Sequence, residues 1–249
     1  MKRETVIDMQ TEQEAGRVTR NRGQAIGICI VMFIAFLGLD RAISSLLTPF
    51  ALGIAMPAGA TPAWWHVAQK LAAVALSDVL AALIPVSVYL WATGRRLRDL
   101  GFNRPGTPWS WIPVLAVEAL LLWVDVTKGP VGRAPNPLNV YALAGSAFAG
   151  LGAPLAEETF FRGFLMNELE RGGFGLPIQI AASAVLFGGA HYAYGDWGTA
   201  IMTGAVGGFW AFIYVFGKRS LWPILIAHFI NDAVVIPSAF YLIASHATR

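Results

Sequence analysis

Cysteine is almost missing: a single residue, Cys29, occurs in 249, which excludes a disulfide framework and any metal site built from thiolates. Charge is nearly as scarce. Only 13% of the side chains are Asp, Glu, Lys or Arg, against 56% hydrophobic, whereas ordinary soluble domains carry about 25% charged residues. Histidine is limited to four, and no His-Glu-x-x-His run is present, so the arrangement common in soluble zinc proteases is excluded. No internal repeat of the kind that builds solenoids or propellers is visible. The formal net charge of +3 invites a nucleic-acid reading, but the basic residues fall between apolar stretches, where membrane topology accounts for them.

What is present is long apolar sequence. Stretches near the length needed to cross a bilayer, about 20 helical residues, run over roughly 24 to 48, 68 to 93, 109 to 126, 138 to 170, 177 to 194, 197 to 217 and 221 to 245. The expectation is an all-α, polytopic membrane bundle of seven transmembrane helices, with an eighth if the first stretch breaks at Asp40 and Arg41. Residues 1–22 read as a polar cytoplasmic tail, and 23–249 as one membrane helical domain. The tail merges into a span too long for a cleaved signal peptide. With the tail inside, twelve Lys and Arg residues, Arg95, Arg104, Arg171 and Arg219 among them, fall on the cytoplasmic side and four on the other, in line with the positive-inside rule. Without an endoplasmic-reticulum retrieval signal, the expected location is a bacterial inner membrane.

Carboxylates inside such a bundle need a reason, because a charge at mid-bilayer costs at least about 2.5–3.5 kcal/mol. Glu157 and Glu158 lie in the run Glu157-Glu158-Thr-Phe-Phe-Arg162. On a helix, Glu158 and Arg162 share a face with the acid first, the better order for an ion pair. Glu157 points about 100° away and is left without a sequence-local partner. His191 closes Phe187-Gly-Gly-Ala-His191, and His228 and Asp232 stand four apart in His228-Phe-Ile-Asn-Asp232, so the carboxylate can orient the imidazole or both can reach one water or metal. Asn231 is a competing partner. Glu157 lies 14 residues before Arg171, and His191 14 after Pro177, about 21 Å each at the helical rise. His228, ten residues after Lys218, lies about 15 Å in. The three motifs can therefore meet near mid-membrane. Two imidazoles, a carboxylate and a free glutamate form a hydrolytic set: His191, His228 and Asp232 can bind a water or a catalytic metal while Glu157 takes the water's proton. Asp40 with Arg41, Asp78, Glu118 and Asp125 read as snorkelling or interhelical charges.

Together the motifs resemble the CPBP membrane proteases, which comprise the type II CAAX prenyl endopeptidases and bacterial bacteriocin-processing or Abi-type proteins. The family pattern of Glu-Glu-x-x-x-Arg, Phe-x-x-x-His and His-x-x-x-Asn/Asp is filled at every position, and the resemblance covers roughly residues 138–235. It implies a helical intramembrane endopeptidase whose site opens to the cytosol and whose substrate is a membrane-associated or hydrophobic peptide, prenylated CAAX-type substrates included. It further implies Glu157 as the base, Glu158 paired with Arg162, and His191, His228 and Asp232 holding water, oxyanion or metal. Zn2+ stays open, since the family is described both as metallo- and as glutamate-dependent; no organic cofactor and no nucleic-acid partner is expected. Buried acids also serve proton- or ion-coupled transporters, and a non-catalytic immunity or interaction protein could keep the same fold. The absence of an inverted repeat with paired broken helices speaks against transport.

Overall fold

The computed structural model describes residues 20–52, 63–136, 138–192 and 195–247; most of the expected tail, and Arg249, lie outside these. Seven long helices follow one another: α1 (Arg22–Leu52), α2 (Trp64–Ala92), α3 (Pro108–Thr127), α4 (Val140–Glu157), α5 (Leu176–Tyr192), α6 (Trp197–Phe216) and α7 (Trp222–Ala247). No strand occurs among the described residues. Local chemistry sets several helix ends. Asn139 accepts the Tyr141 and Ala142 amides at 3.0 Å to cap α4. Asp196 caps α6 by accepting the Thr199 amide at 2.8 Å, and that bond holds its exposed carboxylate below the usual range.

Among the described residues five helices are long and apolar enough to cross a membrane, α1, α2, α3, α6 and α7, so the chain is an integral membrane protein. The expected seven to eight spans are not all met on that measure. The shortfall lies at α4 and α5, with 18 and 17 residues: α4 passes directly into the charge-bearing motif. The expected break at Asp40 is absent, because α1 runs through it. Ser77 of α2 donates to the Asp40 carboxylate at 2.8 Å, so a neighbouring helix satisfies the acid and the turn need not open.

Beyond α4 the coil widens. Glu158–Met166 forms a π-helix whose nine residues are all buried, followed by a last α turn, Asn167–Arg171. Such i→i+5 segments are rare and concentrate at functional sites. Aromatic rings pin this one. Phe160 stacks on Phe36 of α1 at 4.8 Å, and Phe161 meets Phe187 of α5 edge-on at 5.2 Å. Within a bilayer, close van der Waals packing of this kind holds helices together. Helices α5 and α6 approach closely at Gly188, where a Cβ would stand 2.4 Å from the Ala200 carbonyl oxygen. Its neighbour Gly189 faces open space, so one glycine of the pair permits the contact.

Several of the basic residues read as cytoplasmic, among those described, meet neighbouring segments. Arg20 pairs with Glu168 at 3.0 Å, Arg104 donates to the Lys218 carbonyl at 2.8 Å, and Arg219 reaches Asn167 and Gln179.

Candidate active site

The last residue of α4 and the first of the π-helix carry the two acids. Glu158 and Arg162 are both 0% exposed and pair at 3.1 Å. Arg162 also donates to the Gly207 carbonyl of α6 at 3.0 Å, and its guanidinium lies 4.5 Å over the Phe187 ring, a cation–π contact that desolvation strengthens. Gly207 has to be glycine. A Cβ there would sit 2.7 Å from the Phe187 ring and 3.1 Å from Arg162. Gly207→Ala is therefore expected to destabilise the protein by about 1–3 kcal/mol, read as a lower unfolding temperature in detergent.

Glu158 also holds His228. The His228 Nδ1 stands 2.9 Å from the same Glu158 oxygen that Arg162 engages. A carboxylate only accepts, so Nδ1 carries the proton, and in the neutral ring Nε2 presents a lone pair. The same logic fixes His191, whose Nδ1 lies 2.9 Å from the Phe187 carbonyl. Its ring packs 4.5 Å from the Phe187 ring. Phe187 thus supports His191 and Arg162 at once, and its carbonyl sets the His191 tautomer.

Both Nε2 atoms face Glu157. His191 Nε2 is 3.8 Å from Glu157 Oε1, His228 Nε2 is 3.8 Å from Glu157 Oε2, and His228 Nε2 is 3.6 Å from Asp232 Oδ2. These separations exceed direct hydrogen bonds. With both rings neutral the facing atoms are acceptors on every side, and Glu157 Oε2 is buried without a partner. A set of converging acceptors binds a donor with two hydrogens to give, such as water. In donor chemistry, two imidazoles and a carboxylate also suit Zn2+. As placed, however, no three His, Cys, Asp or Glu side chains among the described residues form a ligating group.

All six residues singled out from sequence, Glu157, Glu158, Arg162, His191, His228 and Asp232, come together. One contact differs from expectation. The carboxylate that fixes the His228 ring is Glu158, across from another segment, while Asp232 approaches Nε2 at the longer 3.6 Å. Sequence reasoning missed Gly207, which supplies a carbonyl from a different helix and bears no functional group of its own. It also discounted Asp78 and Glu118. Asp78 of α2 lies within electrostatic reach of Glu157 and Asp232, and Glu118 of α3 within reach of His228 and Asp232.

The model of the Rce1-like type II CAAX prenyl endopeptidase family matches residues 139–234. No curated protein and no solved structure matches the chain. The matched segment contains the three motifs and every residue of the acid–imidazole cluster. Over residues 139–234, less than half of its length, the chain is thus similar to the Rce1-like type II CAAX prenyl endopeptidases, a similarity that supports the resemblance to the CPBP family.

Proposed function

We propose that the protein is an intramembrane endopeptidase that hydrolyses a peptide bond in a membrane-associated or hydrophobic substrate, prenylated CAAX-type peptides included. The observation that carries this reading is the convergence of two imidazole Nε2 atoms on the Glu157 carboxylate at 3.8 Å, each ring fixed from behind through its Nδ1.

A water among these acceptors gives one proton to Glu157 as its oxygen attacks the scissile carbonyl carbon. The C–O bond forms, the carbonyl π pair moves to oxygen, and a tetrahedral oxyanion results. Collapse of that intermediate breaks the C–N bond, and the proton held by Glu157 passes to the departing amine. His228, backed by Glu158 and Asp232, is placed to take up a proton and face the oxyanion as a donor. Arg162 offsets the Glu158 charge, so the orienting carboxylate stays ionised in a buried setting. The acyl fragment leaves as a carboxylic acid.

A bound Zn2+ would be held by His191, His228 and Asp232 and would supply a water that ionises more readily. Zinc analysis of detergent-purified protein, with activity before and after chelation, separates a metal-held water from one held by the imidazoles alone. The reading as a whole is tested with a fluorogenic prenylated peptide. Cleavage by the wild type and its loss in His228→Ala is the expected result; equal cleavage by a folded His228→Ala protein overturns it.

The same reading takes α4 with its π-helical extension, and α5, as the remaining two of seven spans. It places the protein in a bacterial inner membrane with Arg20, Arg104, Arg219 and the amino terminus on the cytoplasmic side. The peptide substrate would then reach the site from the cytoplasmic half of the bilayer.

A further inference from the structure

Helix α3 touches the bundle through a narrow stripe. Its buried residues are Ser110, Val114 and Glu118, four apart and therefore on one face. The starts of α3 and α7 adjoin, since a Cβ on Gly106 would stand 2.8 Å from Pro223. Glu118 is ten residues into α3 and Asp232 ten residues into α7, about 15 Å along each axis. The two acids share a depth, with Asn231 beside them.

Glu118 is 2% exposed, and neither of its carboxylate oxygens has a hydrogen-bond partner. The Asn231 amide stands close enough to interact without closing a hydrogen bond, His228 lies within electrostatic reach without pairing, and Asp232 and Asp125 add negative field. No Lys or Arg side chain among the described residues pairs with it; Arg162, the cation of the neighbouring cluster, is engaged by Glu158 and Gly207. A buried carboxylate with two unsatisfied oxygens costs stability unless something pairs with it. A guanidinium satisfies both oxygens at once through its parallel N–H groups, which a single-point ammonium does not.

We propose that Glu118, with Asn231 beside it, forms a subsite for a positively charged side chain of the peptide substrate, arginine in preference to lysine, adjoining the bond that is cleaved. The assignment rests on the peptidase reading above. The preference for a basic residue comes from the acid whose oxygens close no hydrogen bond.

The test uses the full-length protein in detergent with Glu157→Gln as a non-cleaving background. Fluorescent hydrophobic peptides carry one arginine stepped along the chain, each matched with a peptide bearing neutral citrulline at the same place. At one register, arginine is expected to bind at least about tenfold more tightly than citrulline. Adding Glu118→Gln or Glu118→Leu is expected to erase that ratio while leaving citrulline peptides bound as before, and Glu118→Asp to retain part of it. Thermal unfolding in the same detergent checks that each variant is folded; the leucine variant removes the unpaired acid altogether and so guards against a glutamine variant that fails to fold. No register with a preference, or a preference undiminished in both Glu118→Gln and Glu118→Leu, overturns the subsite. Cleavage of citrulline peptides by the wild type is read separately. Turnover without arginine preference sinks the subsite alone, and arginine preference without turnover sinks the peptidase reading alone.

Discussion

Glu157→Gln is expected to reduce peptide hydrolysis by about 10²–10⁴-fold with little change in unfolding temperature. The amide keeps the size and shape of the side chain but cannot accept the water's proton. Stability should hold because Glu157 Oε2 has no hydrogen-bond partner among the described residues and the imidazole neighbours stand 3.8 Å away. Glu158→Gln is different. Glu158 accepts from both Arg162 and His228, so its loss leaves a buried guanidinium uncompensated and frees the His228 ring. A variant set in which position 157 moves rate alone, and position 158 moves rate and stability together, would separate the base from the group that orients its partner. Equal hydrolysis by folded Glu157→Gln and wild-type protein would remove Glu157 from the reaction.

Arg162→Met is expected to be the most destabilising single change, by about 3–5 kcal/mol. The side chain is fully buried and its charge is balanced against Glu158 at 3.1 Å. Deleting it strands a carboxylate in the interior and removes the donor to the Gly207 carbonyl. Glu158→Gln combined with Arg162→Met should recover part of that loss, since neither charge is then left alone. Unfolding of the two single variants and the double variant in one detergent measures the coupling. Strict additivity would mean that the pair is not a unit.

The helices were legible because hydrophobic runs near bilayer length leave few other solutions. The expected stretch 197 to 217 compares with the observed Trp197–Phe216, and 109 to 126 with Pro108–Thr127. The i,i+4 pair of Glu158 and Arg162, and the shared depth of the three motifs, followed from helical rise and spacing alone. Three features did not. Asp40 and Arg41 looked like punctuation, yet Ser77 sits on a different helix 37 residues away, and hydropathy carries no record of such a partner. Glu158 rather than Asp232 fixes His228 through a contact spanning 70 residues, whereas sequence spacing favours local pairs. Glu118 read as an interhelical or snorkelling charge because its neighbours in sequence are apolar; that neither of its oxygens closes a hydrogen bond, and that no Lys or Arg among the described residues pairs with it, emerges only when α3 is packed on α7.

The wider coil between Glu158 and Met166 has a consequence for the register of the chain beyond it. Because i→i+5 bonding accommodates a residue more per ring than the α form, the coil advances less per residue than an ordinary α-helix, and regularising it at its present length would be a local gain in backbone geometry. That relaxation would turn everything downstream, since the α form advances about 100° per residue and the wider coil less. The arginine side chain and the two phenylalanines that follow the acids would swing off the faces they now meet. Chains regularised in this way would keep their helicity yet lose the alignment of charge with imidazole, so the segment acts as a phase-setting screw whose pitch cannot be regularised at constant length without dismantling the centre it serves.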